Sequence, residues 1–105
     1  MDKVYTFYLS PERADRFRYF HRLARGQIVR FSVQYEAWIE NEWCAIVRYD
    51  TAHGYPHRDL LHPDGTQEQR EFRGYSMEEV LTLGERNLKM NWRRYRAVYE
   101  QEMQR

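Results

Sequence analysis

The sequence predicts an α+β fold, in which a meander of about four antiparallel strands packs against a long C-terminal amphipathic helix. Residues 29–39 alternate between apolar and polar side chains, which is the period of a strand with one buried face. Residues 77–103 instead place apolar side chains at helical spacing. A chain of 105 residues suits one hydrophobic core, and we assign residues 1–105 to a single α+β domain.

The first quarter of the chain is less regular. Residues 4–9 form an apolar and aromatic run that suits a first strand. The run Ser-Pro-Glu at 10–12 is typical of a helix start, because serine caps free amides and proline is tolerated in the first turn. Residues 16–24 fit both a helical stripe and a strand alternation, and their aromatic content favours one strand of a hairpin.

The segment between residue 39 and the helix contains further strand and turn patterns. The expected elements are, in order, a turn at 40–42, a strand at 43–50, a loop at 51–56, a strand at 57–62, a turn at 63–65 and a strand at 66–72. The loop is predicted from its glycine and proline, and the turn at 63–65 from the run Pro-Asp-Gly. Short connections between sequential strands indicate a meander.

The C-terminal helix has a defined start. Ser76 and Glu79 match a capping box, in which each side chain satisfies the other residue's backbone amide. Gly84 interrupts the helix and costs about 1 kcal/mol relative to alanine if the helix is continuous. The apolar positions expected to cover the sheet are Met77, Val80, Leu81, Leu88, Trp92, Tyr95, Tyr99 and Met103.

Composition limits the function classes. The net charge of +1 excludes the strong basic field of general nucleic-acid binders, although fifteen arginines against two lysines suit recognition of phosphate or carboxylate. The lone cysteine, Cys44, excludes an intrachain disulfide, and we expect it to be a small buried residue. No apolar run approaches the ~20 residues of a membrane span, and the N-terminus lacks a signal-peptide pattern, so we expect a cytoplasmic protein. Trp38, on the polar face of its strand, indicates a partner surface and favours a homodimer.

The chemistry-bearing residues are concentrated between positions 48 and 62, where three of the four histidines lie. Imidazole can carry protons near neutral pH, carboxylates can fix its tautomer, and guanidinium groups can hold a phosphate. Such a set suits RNA phosphodiester cleavage, which needs neither a metal nor another cofactor. We predict His53 and His57 as the acid–base pair, Asp50 and Asp59 as their orienting groups, Arg48 and Arg58 as phosphate contacts, and His62 as an auxiliary group.

Two other interpretations stay open. The same polar groups can hold a loop together in a non-enzymatic protein-interaction module. A metal-dependent hydrolase would gather His53, His57 and Asp59, with Asp50 as an additional candidate ligand. On a strand, His57 and Asp59 share one face, whereas His62 points to the opposite face. The spacing matches neither the paired-cysteine zinc pattern nor His-Glu-x-x-His, so the preferred interpretation has no metal.

Several motifs resemble those of a widespread family of small prokaryotic proteins whose membership implies no particular activity. The resemblance extends over residues 16 to 103. Its motifs are Gln34-Tyr35-Glu36, Val47-Arg48-Tyr49-Asp50-Thr51-Ala52-His53-Gly54, His57-Arg58-Asp59, His62-Pro63-Asp64-Gly65 and Asn91-Trp92-x-x-Tyr95-Arg96-x-x-Tyr99.

A fainter likeness concerns the TumE-type toxins of toxin–antitoxin operons. The strand end at 48–51, Arg-Tyr-Asp-Thr, is similar to their Arg-Tyr-Asp-Asn, and a glycine-containing loop follows both. Asp59 replaces the second histidine of their His-Arg-His motif, so His53 or His62 would have to supply that imidazole. This likeness implies an RNA-directed toxin that is neutralised by an antitoxin-like protein.

Overall fold

Six antiparallel strands and one helix form the fold in a computed structural model that describes residues 1–105. The strands are β1 (Asp2–Tyr8), β2 (Asp15–Ala24), β3 (Gln27–Ile39), β4 (Glu42–Asp50), β5 (His57–Leu61) and β6 (Gln67–Glu71). Each strand pairs with its neighbours in sequence, so the sheet is a simple meander. The helix α1 (Met77–Met103) crosses one sheet face over β3 and β4. The α+β class is confirmed, with six strands where about four were expected.

The N-terminal segments at 4–9 and 16–24, which the sequence suits to strands, form β1 and β2. Residues 16–24 are confirmed as strand, because β2 forms ladders with both β1 and β3 along nearly its whole length. The rings of Tyr5 and Tyr19 stack at 4.5 Å on adjacent strands. Aromatic pairs of this kind stabilise neighbouring strands and favour the hairpin over a helix.

The predicted helix start at residues 10–12 is wrong. The amide of Leu9 donates to the carbonyl of Asp15 at 2.7 Å, which closes a hairpin between β1 and β2. Within this turn the carbonyl of Ser10 accepts from the amide of Arg13, whose φ of 58° lies in the left-handed region. Ser10 Oγ accepts from the amide of Ala14 at 3.3 Å. The serine therefore caps a tight turn, and the chain has reversed before a helix can begin.

The core lies between the sheet and α1 and confirms the alternation in β3 and most of the helix stripe. Its fully enclosed members come from β2, β3, β4 and α1, together with one residue after β6. They are Phe17, Tyr19, Phe31, Val33, Tyr35, Ala37, Ile39, Ile46, Val47, Tyr49, Phe72, Val80, Leu81, Leu88 and Trp92. Cys44 is half-buried at the edge of this core and less enclosed than expected.

The helix begins with the predicted capping box between Ser76 and Glu79 and continues through Gly84 without a break. Gly84 is buried because the side chain of Tyr49 packs directly on the helix backbone at that point. Despite its 27 residues, α1 lacks the apolar stretch that crossing a membrane requires.

One arginine in the C-terminal half of α1 forms hydrogen bonds and an ion pair with the sheet. Arg96 Nη1 donates to Asp15 Oδ1 at 2.8 Å, and its Nη2 donates to the carbonyl of Trp38 at 3.1 Å. Asp15 is buried and also accepts from the hydroxyl of Tyr35 at 2.6 Å. The ion pair therefore joins α1 to both β2 and β3.

A β-bulge in β4 decides which side chains face away from the helix. The ladder between β3 and β4 shifts next to Glu36, which leaves Ile46 as the extra residue. An extra residue reverses the alternation, so Trp43 and Arg48 lie on the same face although five positions separate them. We call the sheet face that α1 does not cover the open face.

Candidate functional site

Strand register gathers polar side chains from five strands on the open face. Residues that pair directly across neighbouring strands share a face of the sheet. One row crosses the sheet through Arg18, Gln34, Arg48, Asp59 and Gln69. The next row runs through Phe20, Ser32, Asp50, His57 and Glu71. The carboxylates at 50 and 59 and the imidazole at 57 meet where these two rows pass from β4 to β5.

His57 is the centre of this arrangement, and its side chain is only 1% exposed. Its Nε2 lies 2.8 Å from Asp50 Oδ1 and 3.4 Å from Asp59 Oδ2. Its Nδ1 lies 3.3 Å from the carbonyl oxygen of Tyr55 in the loop before β5. Both ring nitrogens therefore face protein oxygens, so the ring has a fixed orientation. We refer to Asp50, His57 and Asp59 as the His–Asp cluster.

Further polar contacts orient the two carboxylates. Asp50 Oδ1 accepts from the amide of Ala52 at 3.2 Å, and Asp59 Oδ1 accepts from Gln69 Nε2 at 3.1 Å. Arg48 lies beside both carboxylates, with nitrogen–oxygen distances of 4.0 Å to Asp50 and 3.9 Å to Asp59. These distances are too long for hydrogen bonds, so Arg48 lowers the local negative charge without occupying the carboxylate oxygens.

His53 lies next to the cluster, on the loop between β4 and β5. Its ring centroid is 5.2 Å from that of His57, and its side chain is exposed to solvent. The structure therefore brings Arg48, Asp50, His57 and Asp59 together and places His53 at their solvent side. Of these groups, His53 is the imidazole that a bound molecule can reach.

Arg58 and His62 lie elsewhere. Arg58 pairs across the sheet with Tyr49, whose ring packs under the helix, so the guanidinium lies on the face opposite the cluster. His62 follows β5, and its two ring nitrogens face Glu68 at 2.7 Å and Glu102 at 2.8 Å. Hydrogen bonds that the ring donates to Glu68 and to Glu102, in that order of effect, raise the pKa of His62 above its usual 6.5. His62 thus belongs to a separate ion-pair group between β6 and the end of α1.

Sequence reasoning did not identify the polar groups on β2 and β3 that extend the site. Glu36 is buried and accepts from Arg16 Nε at 2.5 Å and from Arg18 Nη1 at 3.4 Å. Gln34 donates to Glu36 and accepts from Arg48 Nε at 2.6 Å. The alternation in β3 places Gln34 and Glu36 on the polar face, but their partners depend on strand register.

A groove on the open face leads to the cluster. It has a volume of about 230 Å³, and its side-chain lining includes Val4, Arg18, Phe20 and Gln34. A smaller depression of about 80 Å³ shares Phe20 and continues to Asp50. Phe20 is half-buried, and Arg18 beside it is exposed. The groove therefore offers one aromatic ring and flexible positive charge next to the His–Asp cluster.

These features define a class of small α+β protein, in which a six-stranded meander carries a helix on one face and a His–Asp cluster on the other. A family model described as a domain of unknown function (DUF7718) matches residues 1–105, and the chain belongs to this family. The match agrees with the expected membership of a family of unknown function. No curated protein and no solved structure matches the chain.

Proposed function

We propose that this protein binds single-stranded RNA on its open face and cleaves it beside the His–Asp cluster. The observation that carries the proposal is the position of His57, which is fixed between two carboxylates next to Arg48. One of these carboxylates, Asp50, lines the depression that continues the groove. Fixed proton-binding groups beside a cation suit the transfer of a phosphoryl group. The likeness to TumE-type toxins supports the same substrate and adds a neutralising partner protein to the proposal.

The groove supports a single strand better than a duplex. A base can stack on Phe20, since stacking on an aromatic ring contributes roughly 1–3 kcal/mol and tolerates any base. Arg18 and Arg48 lie in the row on one side of the line from Phe20 to the cluster. Arg30 lines the depression between Phe20 and Asp50, and all three guanidinium groups can contact phosphates.

The chemistry assigned to the cluster is transesterification. The RNA 2′-oxygen attacks the adjacent phosphorus, and the bond to the 5′-oxygen breaks. The 2′-hydroxyl gives up one proton, and the departing 5′-oxygen, which needs a positive partner, takes one proton from water. His53 is the exposed imidazole beside the cluster and takes the first proton, while Arg48 contacts the phosphate. His57 cannot reach RNA directly, because its ring is buried and both nitrogens are occupied.

An RNA cleavage assay with paired histidine variants tests the proposal. Wild type should cleave a labelled single-stranded RNA, and His57→Gln should not. His62→Gln is the matched control, because it alters a histidine that also contacts two carboxylates but lies outside the cluster. Phe20→Ala should weaken RNA binding about tenfold, measured by fluorescence anisotropy. The proposal fails if wild type cleaves no RNA, or if folded His57→Gln cleaves as fast as wild type.

A second function has one specific observation in its favour. Trp38 is 41% exposed on the open face and packs edge-on against Trp43 at 5.4 Å. Aromatic side chains are enriched at protein-interaction surfaces, and we propose that the exposed Trp38 forms a homodimer contact. Light scattering on wild type and Trp38→Ser tests it: the dimer should be lost in the variant, and a monomeric wild type would refute it.

A further inference from the structure

The donor atoms of the His–Asp cluster converge on one point. One ligand atom from each of Asp50, His57 and Asp59 lies within 4.8 Å of the other two. Two donors bound side by side to an octahedral ion at about 2.1 Å are separated by about 3 Å. The distances from His57 Nε2 to the two carboxylates, 2.8 and 3.4 Å, match this separation.

The surroundings of His57 indicate which ring nitrogen carries hydrogen. The carbonyl oxygen of Tyr55 can only accept, so the contact at 3.3 Å is a hydrogen bond in the tautomer that carries hydrogen on Nδ1. In the neutral ring, Nε2 then presents a lone pair, and the atoms that face it are carboxylate oxygens, which also only accept. In that tautomer three acceptors face one another, and a cation between them would satisfy all three.

The outer contacts of the cluster are those of a metal site. Ligating imidazoles commonly donate their second ring N–H to a backbone carbonyl, and ligating carboxylates are themselves hydrogen-bonded. His57 has this contact to Tyr55, Asp50 has one from the amide of Ala52, and Asp59 has one from Gln69. Every donor therefore has an orienting partner outside the cluster.

We infer that Asp50, His57 and Asp59 bind one divalent transition-metal ion of the Mn²⁺ or Zn²⁺ class. One imidazole with two carboxylates suits these ions. Three protein ligands leave coordination positions free for water or a substrate oxygen. Asp50 and the neighbouring Arg48 are the side chains at the site that reach solvent. The sequence-based expectation is cleavage without a metal. The burial of His57 favours a role as ligand instead of proton carrier.

The inference deepens the proposed function at the same site. A bound ion would act as a Lewis acid at a phosphate oxygen and would provide the positive partner that the departing 5′-oxygen needs. Ion binding can be measured without RNA, however, so the ion site and the RNA activity can fail separately.

Titration calorimetry with MnCl₂ and with ZnCl₂, on full-length protein first treated with chelator and then dialysed, tests the site. We expect one ion per chain. Asp59→Asn should weaken binding at least about tenfold, and Gln69→Ala, which removes only an outer partner, should weaken it about tenfold. Asp64→Asn is the matched control, because it makes the same charge change in an exposed turn. Asp50→Asn, at a less buried position, replaces Asp59→Asn if that variant unfolds.

The alternative to an ion is a second hydrogen on His57, which would give a charged ring paired with both carboxylates. Absence of Mn²⁺ and Zn²⁺ binding, or binding that the Asp50 and Asp59 variants leave unchanged, would overturn the inference in favour of this ion pair. Binding without RNA cleavage would support the ion site and refute the proposed function. Cleavage by a protein that binds neither ion would support the proposed function and refute the ion site.

Discussion

Replacement of Gly84 by alanine separates local helix preference from tertiary packing, because the two predict opposite signs. Alanine is the best helix former, and by propensity alone the change stabilises the protein by about 1 kcal/mol. In the fold, however, a Cβ at this position would lie 2.9 Å from Cγ of Tyr49 and 3.1 Å from its Cβ. Ordinary contacts begin near 3.4 Å, so something has to move by about 0.5 Å.

The magnitude follows from which atoms are in contact. They are the first atoms of the Tyr49 side chain, which rotation of the ring cannot displace, so the helix must lift from β4. Overpacking of this kind costs about 1–3 kcal/mol, and the rigid neighbour places Gly84→Ala in the upper part of that range. After the gain in propensity, we expect a net loss of about 1–2 kcal/mol in the free energy of unfolding. For a chain of this length the melting temperature falls by about 5–10 °C.

Thermal and urea unfolding, followed by circular dichroism, measure this effect. Thr82→Ala is the control, because it introduces alanine at an exposed position of the same helix, two residues away. It should leave stability unchanged or raise it by a few tenths of a kcal/mol. A Gly84→Ala protein that is as stable as wild type, or more so, would refute the packing argument.

Two further predictions concern buried and half-buried charges. Asp15→Ala should lower the free energy of unfolding in urea by about 3 kcal/mol, because Arg96 loses its buried partner. Tyr35→Phe removes one hydrogen bond to Asp15 and should lower it by only about 1 kcal/mol. Equal losses in the two variants would contradict the importance assigned to the ion pair. For His62 the folded pKa is raised, so its contribution is fully present below the unfolded pKa of 6.5 and is lost as the pH rises through the folded value. The melting temperature of wild type should therefore exceed that of His62→Gln by more at pH 6 than at pH 9. A difference that stays constant or grows between pH 6 and pH 9 would contradict this prediction.

Local patterns were enough to predict several elements. The capping box at Ser76 and Glu79, the helix stripe and the alternation through β3 each depend on residues a few positions apart. The positive φ angles of Glu40 and Asn41 at the β3–β4 turn agree with the turn expected there. The run at 10–12 shows the limit of such reasoning, since serine followed by proline suits both a helix start and a tight turn. Pairing of β1 with β2 decided between them.

For the candidate site, too, the sequence predicted some features and left others to the tertiary structure. The sequence by itself concentrated the histidines, aspartates and arginines between positions 48 and 62, and period-two alternation put His57 and Asp59 on one face. It could not show that Asp50 and Arg48 join them, or that Arg58 lies under the helix, because those outcomes depend on how β4 pairs with β5 and on the bulge at Ile46.

Gly84 shows most directly why the sequence alone predicts only part of the structure. The sequence by itself shows a residue that weakens a helix, and only the tertiary structure shows why a glycine suits that position. Local conformational preferences are properties of neighbours in the chain and can be read from composition and spacing. Contacts such as Gly84 against Tyr49, or His57 between two carboxylates, join residues whose separation is set by strand register and by the packing of the helix on the sheet. Those are determined by the whole chain at once.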